Sequence, residues 1–113
     1  MKILNFGSLN IDMVYRVDHI ARPGETIASS AHEVFAGGKG ANQSAALALA
    51  GAEVFHAGQI GPEGQWLVDK LVGFGVNMMY TLTGETPTGH AIIQVDNQGQ
   101  NSIVLFPGAN KKI

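Results

Sequence analysis

Residues 35–52 read FAGGKGANQSAALALAGA, and no other stretch restricts the fold as tightly. Gly37, Gly38 and Gly40 free the backbone at one point, and a run of small, helix-forming residues follows. Residues 40–50 suit a helix, with Gly51 as a natural stop. The segment reads as a strand-to-helix turn, the joint from which α/β chains are built.

The flanking sequence agrees. Residues 2–7 carry Ile3, Leu4 and Phe6, a short apolar run of the kind buried in a parallel sheet. Residues 53–57 form a strand, and Pro62 and Glu63 suit the first turn of a helix running to Phe74. Interleaved with this layer are segments of a different kind. Met13, Tyr15 and Val17 alternate with Val14, Arg16 and Asp18, a half-exposed strand. RPGE (residues 22–25) is a turn, since proline presets one turn position and glycine frees the next, and residues 26–35 return as an extended stretch. Residues 90–95 and 102–106 are strands joined by the polar turn DNQGQ. The expected architecture is α/β with parallel strands, plus a small, one-sided β-sheet from residues 12–35 and 87–106. The chain ends in GANKKI while its α/β part has few strands, and a parallel sheet wants both faces covered. The segment is therefore expected to belong to a longer protein.

Composition removes several function classes. The 113 residues are 45% hydrophobic and 14% charged, a globular balance. A net charge of −2 gives no reason to expect nucleic acid or an anionic membrane as partner. There is no cysteine, which excludes disulfides and thiolate metal sites, and His19, His32, His56 and His90 lack the close helical spacing of a zinc pair. They are expected to be ordinary half-buried or surface residues. Asn5, Asn10 and Asp12 interrupt the N-terminus too early for a signal peptide, and no apolar run reaches membrane-spanning length. The expected compartment is the cytoplasm.

The glycine segment fails two familiar tests. Lys39 is followed by Gly40 instead of the Ser or Thr of a P-loop, and Gln43 stands where a dinucleotide fingerprint needs its third glycine. Glycines that merely permit the backbone path would explain Gly37, Gly38 and Gly40, but not a lysine and an asparagine leaving the same turn. A helix N-terminus has free N–H groups, and glycines let a ligand approach them. Lys39 adds a mobile donor, and Asn42 a donor and an acceptor. In GSLNID, Asn10 and Asp12 lie two apart at the end of the first strand, so an extended chain turns them to one side. Ligands of open α/β sheets collect at the carboxyl ends of strands. A carboxylate beside an amide suits a polyol, whose hydroxyls each need a donor and an acceptor. Taken alone, Asn10 and Asp12 would pass for a decorated turn; the glycine segment makes binding the better reading.

GSLNID, PGET, AGGKGANQSAALALAGAEVFHAGQIG, PTGHAIIQVD and GAN, in this order, resemble the N-terminal part of the ribokinase, or PfkB, family of carbohydrate kinases. The resemblance runs through nearly the whole chain, and the glycine–lysine–asparagine block is one of the family's two signatures. It implies the N-terminal part of a ribokinase-like three-layer α/β/α fold with a small β-sheet lid. Residues 1–11 and 36–86 would form the partial α/β domain, 12–35 and 87–106 the lid, and 107–113 the start of the remainder. Asn10, Asp12, Gly38, Lys39 and Asn42 match positions that hydrogen-bond sugar hydroxyls. Ala91 and Ile93 match apolar lid positions that close over the sugar, although core packing explains that pair equally well. Lid strands of this kind also imply a homodimer. One departure lies at GQIGPEGQ, where Pro62 precedes the acidic residue Glu63. Glu63 is expected to stabilise a helix N-terminus and not to act as a catalytic acid.

The resemblance further implies an ATP-dependent, magnesium-requiring kinase that phosphorylates the primary hydroxyl of ribose or a related sugar. The second family signature, Asp-Thr-x-Gly-Ala-Gly-Asp, does not occur in this sequence. It would supply the catalytic base and the site for the transferring phosphoryl group, so no catalytic, nucleotide or metal residue is assigned to this segment. Lys39 is no substitute, since an ammonium group has no lone pair with which to act as a base. The segment alone is expected to bind sugar but to be inactive. A reading from another class is a natural non-catalytic module that binds a sugar or nucleoside, or that dimerises. A third keeps the kinase and changes the substrate to a nucleoside or another sugar.

Overall fold

A computed structural model describes residues 1–112. Its elements run β1 (Lys2–Phe6), β2 (Asn10–Arg16), β3 (Ala31–Gly37), α1 (Lys39–Leu49), β4 (Glu53–Ile60), α2 (Gln65–Gly73), β5 (Asn77–Thr83), β6 (Gly89–Val95) and β7 (Asn101–Phe106), followed by a 3₁₀ turn (Gly108–Lys112). The strands sort into two sheets. The first has the order β1-β4-β5, all parallel. The second has the order β3-β2-β6-β7, with a parallel β2–β6 pair between two antiparallel ones.

The core forms where α1 and α2 cover one face of the first sheet. In β4 every second residue (Val54, His56, Gly58, Ile60) is buried, the period of a strand with one covered face. Leu67 and Leu71, one helical turn apart on α2, meet Val54, Ile60, Val76 and Met78 there, together with Leu9 and Ala41. Full burial of a leucine contributes roughly 1.5–3 kcal/mol, so these two decide where α2 sits. The opposite face is bare: Leu4, Phe6, Tyr80 and Leu82 are 51–66% exposed. A parallel sheet in a three-layer fold has helices on that side as well.

Three expectations are corrected, and one strand has no counterpart in the sequence reading: β5, at residues 77–83, pairs in parallel with β4. Met78 is its buried residue, and a register irregularity falls between Phe55 and Ala57 on β4, so β5 shows no clean alternation to read. The helix expected to begin at Pro62 begins instead at Gln65, because residues 61–64 close a turn through Gly64 N–H to Gly61 O (3.0 Å). The extended stretch expected at residues 26–35 starts only at Ala31. In β2 the buried residue is Val14, not Met13 or Tyr15; Val17, beyond the strand end, is buried as well.

The turns form as expected. Gly24 takes φ 79° in RPGE, and Glu25 N–H closes on Arg22 O at 2.9 Å. In DNQGQ the Asp96 carboxylate accepts the N–H groups of Gln98 and Gln100, each at 2.9 Å. No helix among the described residues is long and apolar enough to cross a membrane.

Candidate functional site

The two sheets are joined by Gly7–Ser8–Leu9, and α1 begins against this link. A Cβ on Gly7 would lie 2.7 Å from the Gly40 Cα, so the backbones touch there and neither position has room for a side chain. Ser8 caps the helix from outside: its Oγ accepts Gly40 N–H (3.3 Å) and its carbonyl accepts Ala41 N–H (2.9 Å). Two of the donors expected to be free at this helix N-terminus are therefore committed.

Beneath the link runs a polar strut. Asn5 Nδ2 donates to Gly40 O (3.0 Å) and to Ser44 Oγ (2.9 Å). Ser44 Oγ lies 2.7 Å from His56 Nδ1, and His56 Nε2 lies 3.0 Å from Gly7 O. A carbonyl only accepts, so Nε2 carries the imidazole proton, Ser44 donates to Nδ1, and its oxygen is left to accept from Asn5. His56 and Ser44 are fully buried. Burial pushes the His56 pKa down, with the Gly7 bond opposing, which keeps the ring neutral. Of the histidines expected to be ordinary half-buried or surface residues, His56 is a correction: it is a fully buried brace between β1, β4 and α1.

Asn10 and Asp12 share a face, as expected, but they open β2 in the second sheet and do not end the first strand. Asn10 stands opposite Gly37 and Gly89; Asp12 stands opposite Phe35 and Ala91. A Cβ on Gly37 would overlap the Asp12 carboxylate, so that side chain lies over the glycine turn. Gly38 holds φ 95°, and a Cβ there would lie 2.7 Å from Ser8 O and 3.2 Å from Asn10 N. Gly37 is thus needed for space, Gly38 for conformation and space together.

The Asp12 carboxylate accepts no hydrogen bond from any described residue, and burial pushes its pKa up. A half-buried carboxylate without donors is costly unless something supplies them. Asn10, in contrast, is held. Asn110 Nδ2 donates to Asn10 Oδ1 (2.8 Å) and to Leu9 O (3.1 Å), while Leu9 N–H donates to Asn110 Oδ1 (2.9 Å).

Asn10, Asp12 and Gly38 thus meet at one corner, with Ala91 buried beside Asp12. Lys39 and Asn42 are exposed on the first turn of α1. Asn42 also lines a groove with Phe35 and Ala36 of β3 and Lys70 and Phe74 from the α2 end. Ile93 sits one step further along the sheet, opposite Val14. Glu63 lies before α2, not in its first turn: its carboxylate accepts Thr88 N–H, and Thr88 Oγ1 accepts Gly61 N–H at 2.8 Å. Burial alone would raise the Glu63 pKa, but the amides of Glu63 and Thr88 outweigh it and hold it low. Sequence reasoning missed Ser8, Thr88 and Asn110 as site-builders. Only the GAN and PTGH motifs hinted at the last two.

A glycine turn, an amide and a carboxylate converge where an α/β layer meets a second sheet, the layout of an α/β protein with a small accessory sheet. The chain belongs to the pfkB family of carbohydrate kinases, which it matches over residues 1–113. Ribokinase from Arabidopsis thaliana is 36% identical over 111 residues, covering 94% of this chain and 29% of that protein. Ribokinase from Staphylococcus aureus (strain COL) is 36% identical over 113 residues, covering 96% and 37%. In three dimensions the chain resembles the Cryptococcus neoformans var. grubii serotype A ribokinase in complex with ADP, with TM-score 0.87 and 45% identity over 96% of this chain and 35% of that one. It also resembles Arabidopsis thaliana ribokinase complexed with ribose and ATP, with TM-score 0.88 and 35% identity over 95% and 36%. The chain therefore has the ribokinase fold and spans about a third of the length of these relatives.

Proposed function

We propose that this chain is the sugar-binding and lid portion of an ATP-dependent kinase that phosphorylates the primary hydroxyl of a sugar, ribose first among them. One observation carries the reading: Asp12 presents a half-buried carboxylate without a donor among the described residues, beside the Asn10 amide, at the mouth of the glycine turn. Sugar hydroxyls supply the missing donors. Asn10, Asp12, Gly38, Lys39 and Asn42 bind the hydroxyls, and Ala91 and Ile93 give the apolar cover. Residues 1–11 and 36–86 act as the sugar-binding layer and residues 12–35 and 87–106 as the lid. Residues 107–113 lead into the remainder; Ile113 of that segment lies outside the described residues.

ATP and Mg²⁺ serve the full-length parent. With Gly40 and Ala41 N–H groups committed to Ser8, the glycine turn does not fit a triphosphate. No residue here is assigned as catalytic base, so the segment alone binds but does not turn over. The lid strands also offer a homodimer contact. Ile103, Val104, Leu105 and Phe106 on the outer strand β7 are exposed, and an apolar edge of this kind favours pairing with a second copy.

The test is isothermal titration of ribose into the full-length protein and its Asp12→Ala variant. Affinity lost on substitution supports the reading; equal affinity refutes it. A parallel titration with 2-deoxyribose and a nucleoside separates ribose from the alternative substrates.

A further inference from the structure

We propose that Asn110 is a positioning residue that fixes Asn10 as a hydrogen-bond donor toward the substrate. The reasoning starts from the Leu9 backbone. A backbone N–H can only donate and a carbonyl can only accept, so the pair of bonds between Leu9 and Asn110 permits one orientation of the Asn110 amide: Oδ1 on Leu9 N–H and Nδ2 on Leu9 O. The second hydrogen of that NH₂ group goes to Asn10 Oδ1. Asn10 is thereby oriented in turn. Its oxygen is engaged, and its own NH₂ group has no acceptor among the described residues.

The corner therefore exposes one unpartnered donor, Asn10 Nδ2, and one unpartnered acceptor, the Asp12 carboxylate. A hydroxyl oxygen accepts from the first and a neighbouring hydroxyl proton goes to the second. The orientation is set by a residue 100 positions away in sequence. Gly89 makes room for it, since a Cβ there would overlap the Asn110 amide and stand 2.5 Å from Asn10 Oδ1. Gly108, at φ 53°, turns the chain so that Ala109 N–H reaches Pro87 O (2.8 Å) and Asn110 arrives over Leu9.

This rests on the sugar-binding reading above, and the experiment distinguishes the two. Full-length wild type, Asn10→Ala, Asn110→Ala and Asn110→Asp are titrated with ribose and with ribose analogues each lacking one hydroxyl. In the wild type, one analogue loses affinity because its missing hydroxyl faced Asn10. In Asn110→Ala that penalty shrinks by about tenfold, as it does in Asn10→Ala, while the penalty at the hydroxyl facing Asp12 persists. KM for the sugar rises and kcat at saturation is kept. Asn110→Asp retains the acceptor for Leu9 N–H and the shape but can donate neither to Leu9 O nor to Asn10, so Tm falls while Asn10 turns its NH₂ group inward to the carboxylate and presents oxygen instead; discrimination at the same hydroxyl falls and that at the hydroxyl facing Asp12 persists. This second variant keeps the test informative if Asn110→Ala folds poorly. Equal weakening of every sugar, or unchanged discrimination, overturns the role of Asn110. Failure of the wild type to bind any of these sugars overturns the sugar-binding reading itself, and the proposal with it.

Discussion

The Asp12 carboxylate occupies the space into which a side chain at Gly37 would project. The glycine turn and the first acidic residue of β2 are thus two halves of one feature. Gly37→Ala should force that carboxylate aside at a cost of about 1–3 kcal/mol, the range for overpacking a filled site. Thermal denaturation reads the loss, and sugar titration should show weaker binding in the same variant.

Asp12 is held against its own stability. Burial raises its folded pKa above the unfolded value of 3.8. A raised pKa means stability fully present below the unfolded value and lost as pH rises through the folded one. Asp12→Asn should therefore match or exceed the wild type in Tm at neutral pH, with the gap closing toward pH 4, while binding sugar more weakly. A variant less stable at neutral pH than in acid, relative to wild type, would contradict this.

His56 should show the opposite linkage. Its folded pKa lies below the ordinary imidazole value of 6.5 because burial disfavours the imidazolium. The stability it contributes is present above about pH 6.5 and is lost as pH falls toward the folded pKa. His56→Gln should flatten that acid limb. His56→Ala should cost about 3 kcal/mol, since it leaves a cavity and deprives Gly7 O and Ser44 of partners. The comparison must be made variant against wild type. His19, whose pKa the Glu25 and Asp18 carboxylates raise, drifts with pH in the other direction.

Glu63 ties the turn before α2 to the start of β6 through Thr88 N–H. Its carboxylate is hydrogen-bonded to neither Asn10 nor Asp12. Glu63→Ala should lower stability by about 1 kcal/mol through the lost hydrogen bond, with Glu63→Gln milder because its carbonyl can still accept. The kcat of the full-length protein should be unchanged in both; a large fall in kcat with normal Tm would make Glu63 a catalytic group after all.

The elements and the site were legible to different extents. Glycines before a run of small residues predict the β3-to-α1 joint, and two-residue spacing predicts that Asn10 and Asp12 share a face. RPGE and DNQGQ predict their own turns. Each depends on residues close in sequence, where backbone allowance and the strand or helix period are sufficient. β5 escaped because only Met78 of its residues is buried, and a strand made by its pairing with β4 leaves little period to read.

Family membership, the glycine turn and the residue types at the corner can all be read from local sequence. Tertiary structure alone decided that Ser8 caps α1, that His56 braces Gly7, that Thr88 takes the Glu63 carboxylate, and that Asn110 orients Asn10. The physical reason is that a hydrogen bond between distant residues has no periodicity. Its existence depends on where the chain's path brings a donor to an acceptor, and that path is set by the burial of Leu9, Leu67 and Leu71 in the core.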